Sequence, residues 1–185
     1  MSATPSWLPD LIPIDGEFDS VVEKLYKVFF RDFRSNRPSF QGMQIWWDQK
    51  LSEEDRRKYE EGFWHLITKE DQRTGERLIS PRRAERIAWC AAIISNHEDP
   101  AVRVWKGRKG RKGDRVFLWL HEHDYVVIFK ELQMRRGPVM FLLTAYFIDG
   151  ASSRRWFEKS YRAATTQNGI AAPKDGETSP STRGG

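Results

Sequence analysis

The stretch from residue 102 to residue 147 constrains the fold more than any other part of the chain. It holds four runs rich in β-branched and aromatic residues, separated by glycine, proline and charge: Val102 to Trp105, Val116 to Leu120, Tyr125 to Phe129 and Val139 to Phe147. Short runs of this composition predict β-strands. Their close succession is typical of an antiparallel meander of about four strands.

Helical patterns stand on both sides of the meander. Apolar residues spaced i, i+3, i+4 and i+7 from Phe18 predict a first helix that ends before Pro38. Ser80 and Pro81 predict the start of a second long helix towards Asn96. Residues 152–164 predict a final helix that packs on the sheet. This order of elements predicts an α+β fold.

Shorter elements fill the region between the first two long helices. Residues 43–47 predict a strand, and Ser52 with Asp55 forms a capping signature for a short polar helix that stops at Gly62. Residues 63–68 are short, aromatic and β-branched, and therefore predict a second strand.

The 185 residues are enough for one domain with tails. Residues 1–17, with three prolines, predict an extended lead-in, and residues 18–164 a single α+β domain. Residues 165–185 have little apolar surface to bury, so we expect a disordered tail.

Charge and cysteine content indicate the environment and the partners. The 31 Lys and Arg against 26 Asp and Glu give a net charge of +5, which favours anionic partners such as RNA, DNA or acidic lipid. Cys90 is the only cysteine, so a disulfide framework is excluded. The sequence has no apolar run of membrane-spanning length and no secretion signal at its start. We therefore expect a cytoplasmic protein without a membrane partner.

His65 is the first candidate for chemistry. If residues 63–68 form a strand, His65 shares a face with Phe63 and Ile67, where burial would lower its pKa and suit a general base. A packed core histidine fits the same pattern. The other histidines lie near acidic residues, but their spacing is weak evidence for metal binding, and we expect neither a metal nor a cofactor.

Arg82, Arg83 and Arg86 lie at the start of the second long helix, where basic charge opposes the helix dipole. A bound phosphate would compensate for this, and a solvated face paired with Glu85 is the alternative. Thr144 and Tyr146 place two hydroxyls about 7 Å apart on one strand face, as a phosphate site or as edge packing.

A basic, glycine-rich hairpin and the final helix are the candidate RNA-binding surfaces. The hairpin would follow a nucleic-acid backbone, with Trp105 as a stacking surface, or it could be a solubilising loop. Together with Arg82, the candidate RNA-binding residues are Trp105, Lys106, Arg108, Lys109, Arg111, Lys112, Arg154 and Arg155.

The order of these motifs resembles the BECR superfamily, the metal-independent ribonucleases typified by barnase, EndoU, the colicin nucleases and RelE. The resemblance covers about residues 44 to 163 and rests on GFWHLIT, RRAERIAW, FLWL, DYVVIF and LLTAY. It implies helices packed on a curved antiparallel sheet. It also implies five catalytic residues, which are His65, Arg83, Arg86, Thr144 and Tyr146.

The resemblance implies an endoribonuclease of phage or bacterial type in which a ribose 2′-hydroxyl attacks the adjacent phosphate. His65 would transfer protons, Arg83 and Arg86 would hold the phosphate, and the two hydroxyls would position it. Barnase-like members use a carboxylate base, which has no counterpart among these residues. An antitoxin or immunity protein is then an expected partner. Non-catalytic nucleic-acid binding and a protein-interaction or inhibitor module are the alternatives.

Overall fold

The protein has an α+β fold, as the sequence predicts. The computed structural model describes residues 4–53, 58–71, 73–108 and 113–167. The helices are α1 (Phe18–Phe29), which continues as a π-helical segment (Phe30–Ser35), α2 (Glu61–Ile67), α3 (Pro81–Ala84), α4 (Ile87–Ser95), a 3-10 turn (His121–His123) and α5 (Ala151–Gln167). The strands are β1 (Ser39–Phe40), β2 (Met43–Trp46), β3 (Thr68–Glu70), β4 (Arg77–Ile79), β5 (Val102–Arg108), β6 (Asp114–Leu120), β7 (Tyr125–Met134) and β8 (Gly137–Phe147).

A curled, mostly antiparallel sheet of six strands forms the centre of the fold, in the order β1-β2-β8-β7-β6-β5. The predicted meander is confirmed as β5 to β8, and β2 matches the strand predicted at residues 43–47. β2 pairs with β8 in parallel, but only at Met140 and Phe141. The meander thus gains two short strands at its β8 edge.

The two faces of the sheet bury separate apolar clusters. Trp105, Phe117 and Ile128 are in register on one face and pack with Phe157 of α5. The opposite face carries residues such as Leu118 and packs against α1 and α4. Because both faces are covered, β6 is almost continuously apolar and does not show the alternation of a half-exposed strand.

The segment predicted as a strand at residues 63–68 is instead helix α2, which changes the surroundings of His65. Phe63, Leu66 and Ile67 are almost fully buried, with the i, i+3 and i+4 spacing of one helix face. The run was too short for its apolar pattern to separate helix from strand. Gly62, predicted as a helix end, lies inside α2.

The predicted second long helix is divided into α3 and α4 at Arg86, where φ is −106° and ψ is 13°. The N-terminal lead-in packs at this break, because the backbone N–H of Ile12 donates to the carbonyl of Glu85 at 2.8 Å. Trp89 also donates to the carbonyl of Pro9 at 2.8 Å. The backbone N–H of Ile12 thus occupies the Glu85 carbonyl that the backbone N–H of Trp89 would reach in an unbroken helix.

The predicted final helix is confirmed as α5, although it extends to Gln167 and so includes residues assigned to the tail. The short polar helix predicted after Ser52 falls largely on residues 54–57, outside the described residues. None of the helices in the described ranges is long and apolar enough to cross a membrane.

Gly62→Ala should destabilise the protein. An added Cβ would lie 2.7 Å from Cδ1 of Trp47 and 3.0 Å from the carbonyl of Asp48. We expect the free energy of unfolding in urea to fall by about 1–3 kcal/mol because of this overpacking. Helix propensity alone predicts the opposite sign, since alanine in a helix is favoured over glycine by roughly 0.5–1 kcal/mol. A stabilised variant would therefore show that the contact relaxes at no cost.

Candidate functional site

In the described part of the chain, the C-terminal half of β8 has an edge that pairs with no strand. β2 pairs with β8 no further than Phe141, and within the described residues helices α2 and α3 pack beside the remaining part of this edge. Side chains from a strand and from two helices therefore meet here. The sequence-predicted residues Thr144 and Tyr146 lie on this part of β8.

Arg83 connects the three elements at this edge. Its Nη1 donates to the carbonyl of Thr68 at 2.8 Å and lies 3.3 Å from the carbonyl of His65 and 3.4 Å from Oγ1 of Thr144. Its guanidinium lies 5.1 Å from the ring centre of Tyr146. Burial lowers the pKa of Arg83, because desolvation disfavours the charged form. The structure therefore brings Arg83, Thr144 and Tyr146 together.

His65 joins this cluster through its backbone. Oγ1 of Thr144 is 3.4 Å from the His65 carbonyl, which also accepts a hydrogen bond from Nη1 of Arg83. The charged groups that influence the pKa of the His65 ring include Arg77, Glu61 and Arg83. Burial, and then the charge of Arg77, lower the pKa of His65, so the ring is neutral at pH 7.

Arg86 does not join the cluster. Its guanidinium pairs with Glu85, donates to the carbonyl of Arg82 and lies 5.1 Å from the ring centres of both Trp89 and Phe147. The joint binding of one phosphate by Arg83 and Arg86 stays a prediction; the residues that line the cleft described below include Arg83 and not Arg86. Arg86 is paired with Glu85, as the alternative predicted, but its side chain is only 14% exposed and does not form a solvated face.

A cleft of about 550 Å³ opens beside Arg83 and Tyr146. Of the described residues, three basic ones and one acidic one line it; the acidic residue is Asp149, whose carboxylate is 2.6 Å from Nη1 of Arg82. The lining residues include Lys69, Ser80, Arg82, Arg83, Tyr146, Asp149, Ser152, Ser153 and Trp156. Excess positive charge with several hydroxyls suits an anion such as a phosphate.

The first turn of α5 forms one wall of this cleft. Ser152 and Ser153 lie there, and the turn contains no acidic residue. Backbone N–H groups in a first helical turn lack helical acceptors and favour negative charge. They add to the positive potential that Lys69, Arg82 and Arg83 create.

The sequence did not point to Lys69, Ser153 or Trp156 as site residues. The boundary predicted for the last helix at Ser152 could have drawn attention to the two serines, because helix starts bind anions. Nothing in the sequence linked Lys69 to Arg83. The proximity of Lys69 to Arg83 depends on helix α2, and residues 63–68 were predicted to form a strand instead of this helix.

Three of the residues predicted to bind RNA along the hairpin contact other side chains of the protein, namely Trp105, Lys106 and Arg108. Trp105 is 5% exposed, stacks on Phe117 and donates to Ser160, so its ring is not available to a base. Lys106 pairs with Glu131, and Arg108 with Asp114. Lys109, Arg111 and Lys112 lie outside the described residues. On α5, Arg154 pairs with Asp124 and Glu158, whereas Arg155 is exposed.

Comparisons with known proteins return no matching family model, no matching curated protein and no matching solved structure.

The stability of the protein should fall as the pH decreases below about 6.5, the ordinary pKa of histidine. The pKa of His65 is lower in the folded state, so the unfolded state binds more protons in this range and is favoured by acid. We expect His65→Gln to lose less free energy of unfolding than the parent between pH 7.5 and 5.5, measured by urea denaturation. Equal losses in both proteins would show that His65 is not responsible.

Proposed function

We propose that this protein is a metal-independent endoribonuclease that holds an RNA phosphate in the cleft beside Arg83. The observation that carries the proposal is the partly buried Arg83 guanidinium, fixed beside Tyr146 and Thr144 at a cleft that also contains Lys69 and Arg82. A cation held by backbone carbonyls is preorganised, so it needs little rearrangement when negative charge develops on a phosphate.

Arg83 has donors left for a ligand. All its hydrogen bonds within the described part of the chain are made by Nη1. Guanidinium carries five N–H donors in a planar fork, so those of Nε and Nη2 are available for two phosphate oxygens. Lys69 and Arg82 would add charge around the same group.

The proposed reaction is attack of the ribose 2′-hydroxyl on the adjacent phosphorus. The 5′-oxygen leaves, and the products are a 2′,3′-cyclic phosphate and a free 5′-hydroxyl. We assign His65 as the acceptor of the 2′-hydroxyl proton, because its backbone carbonyl accepts from Arg83 and Thr144 in the same cluster and its lowered pKa keeps the ring neutral. We assign the hydroxyl of Tyr146, a residue that lines the cleft, as the donor to the leaving 5′-oxygen.

The resemblance to BECR ribonucleases supports this proposal at the level of fold. The implied arrangement, helices on a curved antiparallel sheet, agrees with the architecture of this chain. Binding to RNA without cleavage is the alternative, and the same basic cleft supports it.

Purified protein should cleave cellular RNA in EDTA and leave 2′,3′-cyclic phosphate ends. Arg83→Gln and Tyr146→Phe should each lower the cleavage rate about 10²–10³-fold, as expected when a group that acts on the transition state is removed. His65→Gln should lower it and remove the acidic limb of the pH profile.

The matched control is Arg136→Gln, which removes one positive charge in the turn before β8, at the opposite end of that strand from Tyr146. Its rate should equal that of the parent. Arg83 also supports the fold, so each variant is checked by thermal unfolding, and Tyr146→Phe tests the chemistry if Arg83→Gln does not fold. If RNA is bound but stays intact, the ribonuclease proposal is wrong and RNA binding without cleavage is the function that remains.

A further inference from the structure

Helix α5 carries a stripe of positive charge that leads away from the cleft. The stripe consists of Arg155, Lys159 and Arg162, all of which are exposed. Their i, i+4 and i+7 spacing places them on one side of the helix over a rise of about 10 Å. Phe157 and Tyr161, which belong to the apolar cluster under α5, lie on a different side.

These cations are unpaired, unlike other basic residues nearby. None of the three forms an ion pair in the described ranges, whereas Lys106 and Arg108 are each paired with a carboxylate. Glu158, which lies beside the stripe, is paired with Arg154 at 3.4 Å. The charge of the stripe is therefore available to an external anion.

An aromatic side chain lies where the stripe meets the cleft. Trp156 lines the cleft, is 37% exposed, and lies one turn before Lys159 on α5. Its indole rests on Phe157 and Phe117, with ring centres 4.9 and 5.9 Å apart, which holds it in place. A fixed aromatic surface next to unpaired cations is the combination by which proteins hold single-stranded nucleic acid.

We propose that the substrate is single-stranded RNA that runs from the cleft along α5. One unpaired base stacks on Trp156, and the phosphates beyond it follow Arg155, Lys159 and Arg162. A base in a duplex cannot present its face to Trp156, so double-stranded RNA is a poor ligand. The inference rests on the proposal that the cleft holds an RNA phosphate, and it names the form of that RNA.

The charge stripe is tested by the salt dependence of binding. The probe is a fluorescent single-stranded RNA whose 2′-oxygens are methylated, so that it cannot be cleaved. For single strands the slope of log K against log salt is about −0.7 per phosphate contact. The triple variant Arg155→Gln, Lys159→Gln, Arg162→Gln should therefore reduce the magnitude of the slope by about 2.

A second triple variant, Lys130→Gln, Arg135→Gln, Arg136→Gln, removes the same charge from β7 and the turn that follows it. Its slope should match that of the parent. Equal changes in both triple variants would mean that net charge alone matters, and an unchanged slope in the α5 variant would mean that RNA does not follow this helix. Either result overturns the inference.

Trp156→Leu tests the stacking. It keeps an apolar side chain against Phe157 but should weaken binding of the single-stranded probe about tenfold or more. Binding of a methylated duplex of the same sequence should stay unchanged, and an equal loss for both probes would contradict stacking.

The two proposals fail in different ways. If the parent protein binds the probe with a salt slope that depends on α5 but never cleaves RNA, the ribonuclease proposal is wrong and the proposed RNA path along α5 stands. If the parent cleaves RNA, and the α5 triple variant and Trp156→Leu both bind and cleave as the parent does, the ribonuclease proposal stands and the proposed path along α5 is wrong. Absence of any RNA binding overturns both.

Discussion

The contacts of Arg83 connect the parts of this structure on which the candidate site depends. Its guanidinium binds carbonyls at the C-terminal end of α2 and reaches Oγ1 of Thr144 on β8. The last carbonyls of a helix lack helical donors, and positive charge is favoured there. One side chain thus binds the last carbonyls of α2 and holds α2 against β8 at the edge of the sheet.

That edge exists because β2 is short. It pairs with β8 only at Met140 and Phe141, so the C-terminal half of β8 is left to the helices. β8 then leads directly to α5, whose first turn returns beside Arg83 and Tyr146. The cleft is a consequence of how the strand ends, and α5 contributes both a wall of the cleft and the basic stripe beyond it.

The parts of the fold that the sequence predicted are those with local signals. The meander and α5 follow from apolar spacing and from turn residues within each segment. Helix α2 was predicted as a strand because a run of six residues, four of them hydrophobic, contains too few helical turns for its period to be read. The division at Arg86 was also missed, since the hydrogen bond that stabilises it comes from Ile12, far away in the chain.

The sequence alone determined the α+β class, the strand order within the meander, and the candidacy of Arg83, Thr144 and Tyr146, because these depend on residue type and on local spacing. Only the tertiary structure decided that Arg86 turns towards Trp89, that Trp105 is buried, and that Lys69 and Trp156 share a cleft with Arg83. The reason is physical: the direction of a side chain and its neighbours across the chain are set by packing between elements, which local periodicity does not contain.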